Sequence, residues 1–257
     1  MKTIQRSESE VGRWPGLLAF FNSGLSPRLQ GVAAMVPGGK ALADIGTDHA
    51  YLPIYLVGEG HSPRAVGIES RPGPYQNALA NVAAAGLSHR IDIRLGWGLK
   101  PLKPGEVEVI TMAGLGCSTM RAILSASPDI LNTIRHLILQ PQGQEENLRR
   151  WLAGTGWRLV DEDLIWDRER YYVVLAWEPG PSPAFSRAEW EVGPLLMAKG
   201  HPLLPGYLDG RLRQLQRVRE GLAQSRRPEA VARRREIEEK IRELQEVMIC
   251  LPPAGKS

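Results

Sequence analysis

The chain has 257 residues, of which 43% are hydrophobic, and 32 Lys and Arg against 28 Asp and Glu leave a formal net charge of +4 at pH 7. That length suits one domain with an appendage, and the composition excludes a disordered polymer. Cys117 and Cys250 alone exclude a disulfide framework or a four-thiolate zinc site, so a reducing cytoplasm and no metal are expected, and no stretch approaches a membrane span.

Residues 1–24 carry one short apolar patch interrupted by Pro15, with Glu8 and Glu10 where a targeting signal would be free of acids. They read as a loose extension that packs Trp14 and Phe20 on the domain surface. Ser26 can cap a first helix with Pro27 at its first position, and Pro37-Gly-Gly stops it. Strands are then expected at 41–45, 65–68, 91–95, 107–112 and 137–139. Helices are expected between them at 51–58, 73–85, 118–126 and 144–153. Such alternation builds a parallel sheet covered on both faces. Strands at 158–166 and 171–177, joined by Asp167-Arg-Glu-Arg, form a closing antiparallel hairpin. The fold class is therefore α/β, a Rossmann-like methyltransferase sheet with a terminal antiparallel hairpin, expected over residues 25–179.

Pro179-Gly-Pro-Ser-Pro marks a boundary. Within 180–257, Leu208, Leu212, Leu215, Val218 and Leu222 recur at helical spacing, as do Ile237, Ile241, Leu244 and Met248. Pro228 suits the start of the second run, so a linker leads to an antiparallel helical hairpin. Its arginines, among them Arg211, Arg213, Arg217, Arg219, Arg226, Arg227, Arg233, Arg234 and Arg235, alternate with glutamates. That pattern fits either a solvated face laced with i,i+4 pairs or a surface that grips phosphates.

The turn Asp44-Ile-Gly-Thr-Asp-His-Ala-Tyr-Leu-Pro lies where such a sheet holds its cofactor. Gly46 is its only glycine, so the fingerprint of a dinucleotide site is missing. Asp44 and Asp48 would repel a pyrophosphate but favour a sulfonium or ammonium group, which points to S-adenosylmethionine. Asp44 is placed to receive the methionine amino group, and His49 either caps the helix, holds Asp48 or touches the ligand. Glu69 ends the second strand about 20 residues beyond Gly46, the place for a carboxylate that accepts ribose hydroxyls. Gly96 and Trp97 fall in the loop expected around the adenine ring. Ala113 and Gly114 let backbone approach the methyl group, and Gln140-Pro141-Gln142 ends the fifth strand. Cys117 reads as a small apolar residue in a tight turn, since methyl displacement needs no nucleophilic thiol.

These residues carry a resemblance. Asp44-Ile-Gly-Thr-Asp-His-Ala-Tyr-Leu-Pro resembles the Asp-Ile-Gly-Ser-Asp-His-Ala-Tyr-Leu-Pro signature of the bacterial TrmK family, tRNA methyltransferases acting at N1 of adenine 22 in the D-arm. Gly73-Pro-Tyr, Arg94-Leu-Gly-Trp-Gly-Leu, Met112-Ala-Gly-Leu-Gly, Leu137-Ile-Leu-Gln-Pro and Gly193-Pro-Leu-Leu look like its later blocks. The resemblance runs from about Leu25 to Met248. It implies S-adenosylmethionine, a tRNA partner and a C-terminal helical hairpin; a monomer is expected. Trp97 stands where the family usually has Asp or Asn, Cys117 replaces a glycine, and Gln142 replaces an asparagine.

The implied reaction is attack of adenine N1 on the sulfonium methyl. Neutral adenine already has the lone pair, so the enzyme's work is positioning and electrostatics. The Gln140 carbonyl or Asp48 is expected to accept from the exocyclic amino group, with Arg28 and Arg71 as RNA contacts. Trp97, Cys117 and Gln142 motivate one alternative, a cofactor-binding RNA-interaction protein with little or no catalysis. A small-molecule methyltransferase is another, and a nicotinamide oxidoreductase fits the first turn worst.

Overall fold

A computed structural model describes residues 24–223, 225 and 227–250. The expected packing of Trp14 and Phe20 lies outside the described residues, as does Arg226. The sheet has seven strands in the order β3-β2-β1-β4-β5-β7-β6. These are β1 (Leu42–Ile45), β2 (Ala65–Glu69), β3 (Ile91–Leu95), β4 (Val109–Leu115), β5 (His136–Pro141), β6 (Trp157–Asp167) and β7 (Arg170–Pro179). The first five are parallel, and β7 runs antiparallel between β5 and β6. Strand order reverses beside β1, between β2 and β4, which opens a crevice at the carboxyl ends of those strands.

Successive residues of a strand point to opposite faces. Leu42 and Val109 accordingly join one apolar cluster, while Ala43, Ile45, Ile110 and Met112 join the other. The first cluster is covered by α1 (Pro27–Met35), α2 (Tyr51–Gly58) and α3 (Pro72–Ala84). Against the second lie α4 (Cys117–Ser125), α6 (Glu145–Gly154) and the C-terminal helices, with α5 (Pro128–Leu131) beside α4. Ser26 caps α1 as its sequence implies, its hydroxyl accepting from the Leu29 amide at 3.4 Å. A Cβ on Gly31 would come within 2.6 Å of Ile165. That glycine lets α1 press against β6 and hang its first turn over the crevice.

Two elements of the linker carry no periodic signal, α7 (Arg187–Val192) and α8 (Pro194–Ala198). The helical hairpin follows as α9 (Leu204–Leu222) and α10 (Pro228–Cys250). Leu208, Leu212, Ile237, Ile241 and Leu244 are buried as their spacing implies. Val218 is 44% exposed, and Val247 rather than Met248 is buried at the end of the seam. Several arginines of this hairpin have carboxylate partners, Arg213 with Asp209, Arg233 with Glu236 and Arg234 with Glu238. For those the solvated-face reading holds.

Ion pairs also fasten the hairpin to the sheet domain. Lys240 of α10 bonds Glu146 of α6 at 2.8 Å and also Glu191 of α7, and Arg211 of α9 bonds Glu191 at 2.7 Å. Burial favours the neutral form of Glu191, but hydrogen bonding with Glu146 and Lys240, together with the charges of Lys240 and Arg211, overcomes it and holds the carboxyl down at about 2. Beneath them Arg149 and Glu162 form a wholly buried pair at 2.6 Å. The second Glu162 oxygen accepts from the Leu195 amide at 2.8 Å, and Arg149 donates to the Trp190 carbonyl at 3.0 Å. A buried ion pair persists only when such further bonds satisfy it.

Candidate active site

The crevice forms an open cleft of about 1110 Å³, walled by the first turn of α1, the β1–α2 turn, the end of β2, the bulged end of β4 and the β6–β7 turn. One wall is acidic. Asp44 is buried near the end of β1, and Thr111 of the adjacent β4 donates to its Oδ1 at 2.7 Å. Burial pushes the Asp44 carboxyl above the usual carboxylate range, against the lowering effect of the Thr111 bond. A cation arriving beside it would favour the ionised form.

Glu69 closes β2 and is also buried, yet it lines the cleft. Its Oε1 accepts from the amides of Ser70 and Arg71 at 2.9 and 3.1 Å, and its Oε2 from the Asp48 amide at 3.3 Å. These donors fix the carboxylate and leave lone pairs for a ligand diol. The β1–α2 turn is clamped to β2, because the amides of Gly46 and Thr47 both donate to the Ile68 carbonyl. Asp48 stands at φ 51° with its side chain exposed. His49 stacks on Tyr51 at 5.2 Å, its Nε2 3.9 Å from the Asp48 carboxylate.

The opposite wall is cationic. Arg28, on the first turn of α1, donates from Nη1 to Gln140 Oε1 at 2.8 Å and lies 5.7 Å over the Tyr172 ring. Arg168, at the tip of the β6–β7 turn, lines the same side. Arg71 lies on the rim with Nε 3.7 Å from Glu69, and its side chain is 73% exposed. Between the walls, β4 runs further than its sequence suggests. Gly114, at φ 76°, makes an irregularity in the β4–β5 pairing, and its missing Cβ leaves space 3.4 Å from Arg28 Nη1 and 3.6 Å from Gln142 Nε2.

Of the residues singled out from sequence, Asp44, Gly46, Asp48, His49, Glu69, Ala113, Gly114, Arg28, Arg71 and Gln142 all line this cleft. Four others, Gly96, Trp97, Gln140 and Pro141, lie outside its lining. Gly96 supports the wall from behind, its amide donating to the Glu69 carbonyl at 2.8 Å. Trp97 turns outward, 41% exposed, with the Lys100 ammonium 5.8 Å from its ring. The loop turns this way because Gly96 packs under Pro101 and Gly98 under Ile123. Gln140 is wholly buried; its side-chain carbonyl takes Arg28, and its amide donates to the Pro141 carbonyl at 2.7 Å. Its side chain holds Arg28 in place, and Pro141 is buried beside it. Cys117 is buried in the core at the start of α4, where burial raises its thiol pKa, as befits an apolar filler. Asp167, Arg168 and Tyr172 line the cleft without having been singled out. Only their place at the hairpin turn could have signalled them.

The sequence profile of the family described as TrmK, tRNA (adenine(22)-N(1))-methyltransferase, matches residues 42–246. The chain belongs to the TrmK family. A TrmK relative from Bacillus subtilis (strain 168), described as tRNA (adenine(22)-N(1))-methyltransferase, is 40% identical over 160 residues, which are 62% of this chain and 67% of the relative. The crystal structure of the B. subtilis m1A22 tRNA methyltransferase TrmK superposes with a TM-score of 0.80 at 33% identity, covering 87% of this chain and 98% of that one. A Streptococcus pneumoniae protein, Sp1610, described as a putative tRNA (m1A22) methyltransferase in complex with S-adenosyl-L-methionine, gives 0.78 at 34% identity and covers 87% and 99%.

Proposed function

We propose that this chain transfers a methyl group from S-adenosylmethionine to N1 of adenine 22 in tRNA. Membership of the TrmK family carries the proposal, and the cleft supports it with a buried acidic wall facing a cationic one. The donor fits the residues present: the buried Asp44 carboxyl, raised by desolvation, forms no ion pair among the described residues, and the fixed Glu69 carboxylate has lone pairs to spare. Glu69 would accept the ribose hydroxyls, and Asp44 the ammonium group, directly or through water. Backbone at Ala113 and Gly114 would lie near the transferred methyl.

S-adenosylmethionine supplies a methyl carbon on sulfur; the carbon–sulfur bond breaks toward sulfur as adenine N1 donates its lone pair to that carbon. No base is required, so Asp48 acts by position, accepting from the exocyclic amino group and balancing the charge that grows on the ring. Arg28, held by Gln140 and Tyr172, and Gln142 face the incoming nucleotide. A paired N1 is blocked, so the adenosine enters flipped from its stack. Residues 25–179 form the transferring unit and 180–257 the linker and hairpin, and the protein acts as a cytoplasmic monomer. Among the described residues no helix is long and apolar enough to cross a membrane.

The test is incubation with S-adenosylmethionine and an unmodified tRNA carrying adenine 22, followed by nucleoside mass spectrometry. The expected product is 1-methyladenosine, absent when that adenine is changed to guanine. No product despite cofactor binding would overturn the proposal.

A further inference from the structure

The β6–β7 hairpin ends in a two-residue turn, Arg168-Glu169, with Asp167 and Arg170 paired across its base. Both turn residues have positive φ, 46° and 60°. Tight hairpins of this shape favour Asn-Gly or Gly-Gly, because a Cβ in the left-handed region is strained. Here the chain spends that strain on two charged side chains. Such strain persists where the side chains serve a purpose, and the surroundings indicate which.

Arg168 lines the cleft on the cationic side, and no carboxylate pairs with Arg168 or Arg170 among the described residues. Asp167, which could neutralise them, instead accepts from the Arg28 amide at 3.4 Å. Trp166, the next residue along β6, is 47% exposed, its ring braced at 4.5 Å by Tyr171. Tyr171 in turn packs edge-on against Tyr207 at the base of the helical hairpin. An exposed, braced indole beside two free guanidiniums, continuous with the cleft on one side and the helical hairpin on the other, has the chemistry of a single-stranded nucleic-acid contact. The ring offers a base a stacking face, and the arginines offer phosphates their counter-charge.

We propose that the β6–β7 turn is an RNA-reading element: Trp166 stacks on an unpaired base beside the target adenosine, while Arg168 and Arg170 hold the flanking phosphates. This rests on the proposed tRNA substrate and adds the part of the chain that holds the target strand open. It explains why arginine stands where glycine would relieve strain. The fold is slightly less stable so that a cation sits at the mouth of the cleft.

The experiment compares the full-length protein with Arg168→Gly, Arg170→Ser and Trp166→Leu. It measures unmodified tRNA binding across a salt series, and cofactor affinity alongside to report an intact cleft. Arg168→Gly is expected to raise the melting temperature by roughly 2–4 °C while weakening tRNA binding about ten-fold and reducing the salt slope by about one. Trp166→Leu is expected to weaken binding about ten-fold with an unchanged salt slope, and to abolish the part of the tryptophan fluorescence quenched by tRNA. Binding and salt slopes equal to wild type in all three variants would overturn the inference even if the wild type forms 1-methyladenosine. Loss of binding in the variants, with wild type that binds tRNA but forms no 1-methyladenosine, would uphold the element and overturn the reaction instead.

Discussion

Two groups of buried carboxylates in this molecule have opposite fates. Around Glu191 and Glu162 every charge is answered from within the chain, by Lys240, Arg211 and Arg149. Around Asp44 and Glu69 the chain answers mainly with hydroxyl and amide hydrogen bonds, the exposed Arg71 reaching Glu69 only at 3.7 Å, and burial leaves the Asp44 carboxyl raised where Glu191 is lowered. A closed network holds the helical hairpin on the sheet. An open one lines the cleft in which a positive ligand is proposed to sit. Buried charge here is structural where it is satisfied and functional where it is not.

The closed network should break hardest. Arg149→Met leaves the Glu162 charge buried and unpaired, which is expected to cost about 3–5 kcal/mol of stability, read from denaturant unfolding. A loss under about 1 kcal/mol would mean the pair is dispensable. The open network should lose ligand instead of fold. Glu69→Ala is expected to weaken S-adenosylmethionine about 100-fold by calorimetry, from loss of hydrogen bonds to a charged acceptor worth about 1.5–3 kcal/mol each. Unchanged affinity would remove Glu69 from the site.

A smaller effect is expected from Gln140→Ala. Arg28 would lose its acceptor, so the rate of methyl transfer should fall about ten-fold at saturating cofactor while cofactor affinity stays near wild type. A fall in cofactor affinity alone would instead put Gln140 behind the acidic wall. Acid should separate the two groups further. Glu191 has a lowered folded pKa, so its contribution is complete above its unfolded value and is lost as pH falls toward about 2. Lys240→Met should therefore flatten the acid limb of the stability profile, and an unchanged limb would assign acid unfolding elsewhere.

Much of this was legible in the sequence. The expected bounds of α2 and β3 coincide with the structure, because short β-branched strands and proline or glycine stops mark them. Asp44, Asp48 and Glu69 were readable because strand ends in this topology fall on one edge. Gly114 was readable as a small residue, although its place in a bulge that lengthens β4 was not. Trp97 and Gln140 lie outside the cleft lining, because a side chain's direction depends on what packs behind it, here Pro101 and Ile123 for the loop and Arg28 for Gln140. Nothing in the sequence singles out Arg149 and Glu162 as a buried pair, since no local pattern reveals a partner on another element. The helices α5, α7 and α8 are too short to show a period.

The most direct test of the open acidic wall is the proton count on cofactor binding, from calorimetric titrations in buffers of different ionisation enthalpy. If Asp44 meets the positive end of S-adenosylmethionine, its raised pKa falls on binding. Wild type then releases protons over the pH range in which the free Asp44 carboxyl is protonated, and affinity declines as the pH falls through that range. Asp44→Asn should bind more weakly and release none. Equal proton release by wild type and Asp44→Asn would contradict the assignment of Asp44 as the carboxylate that receives the cofactor's charge.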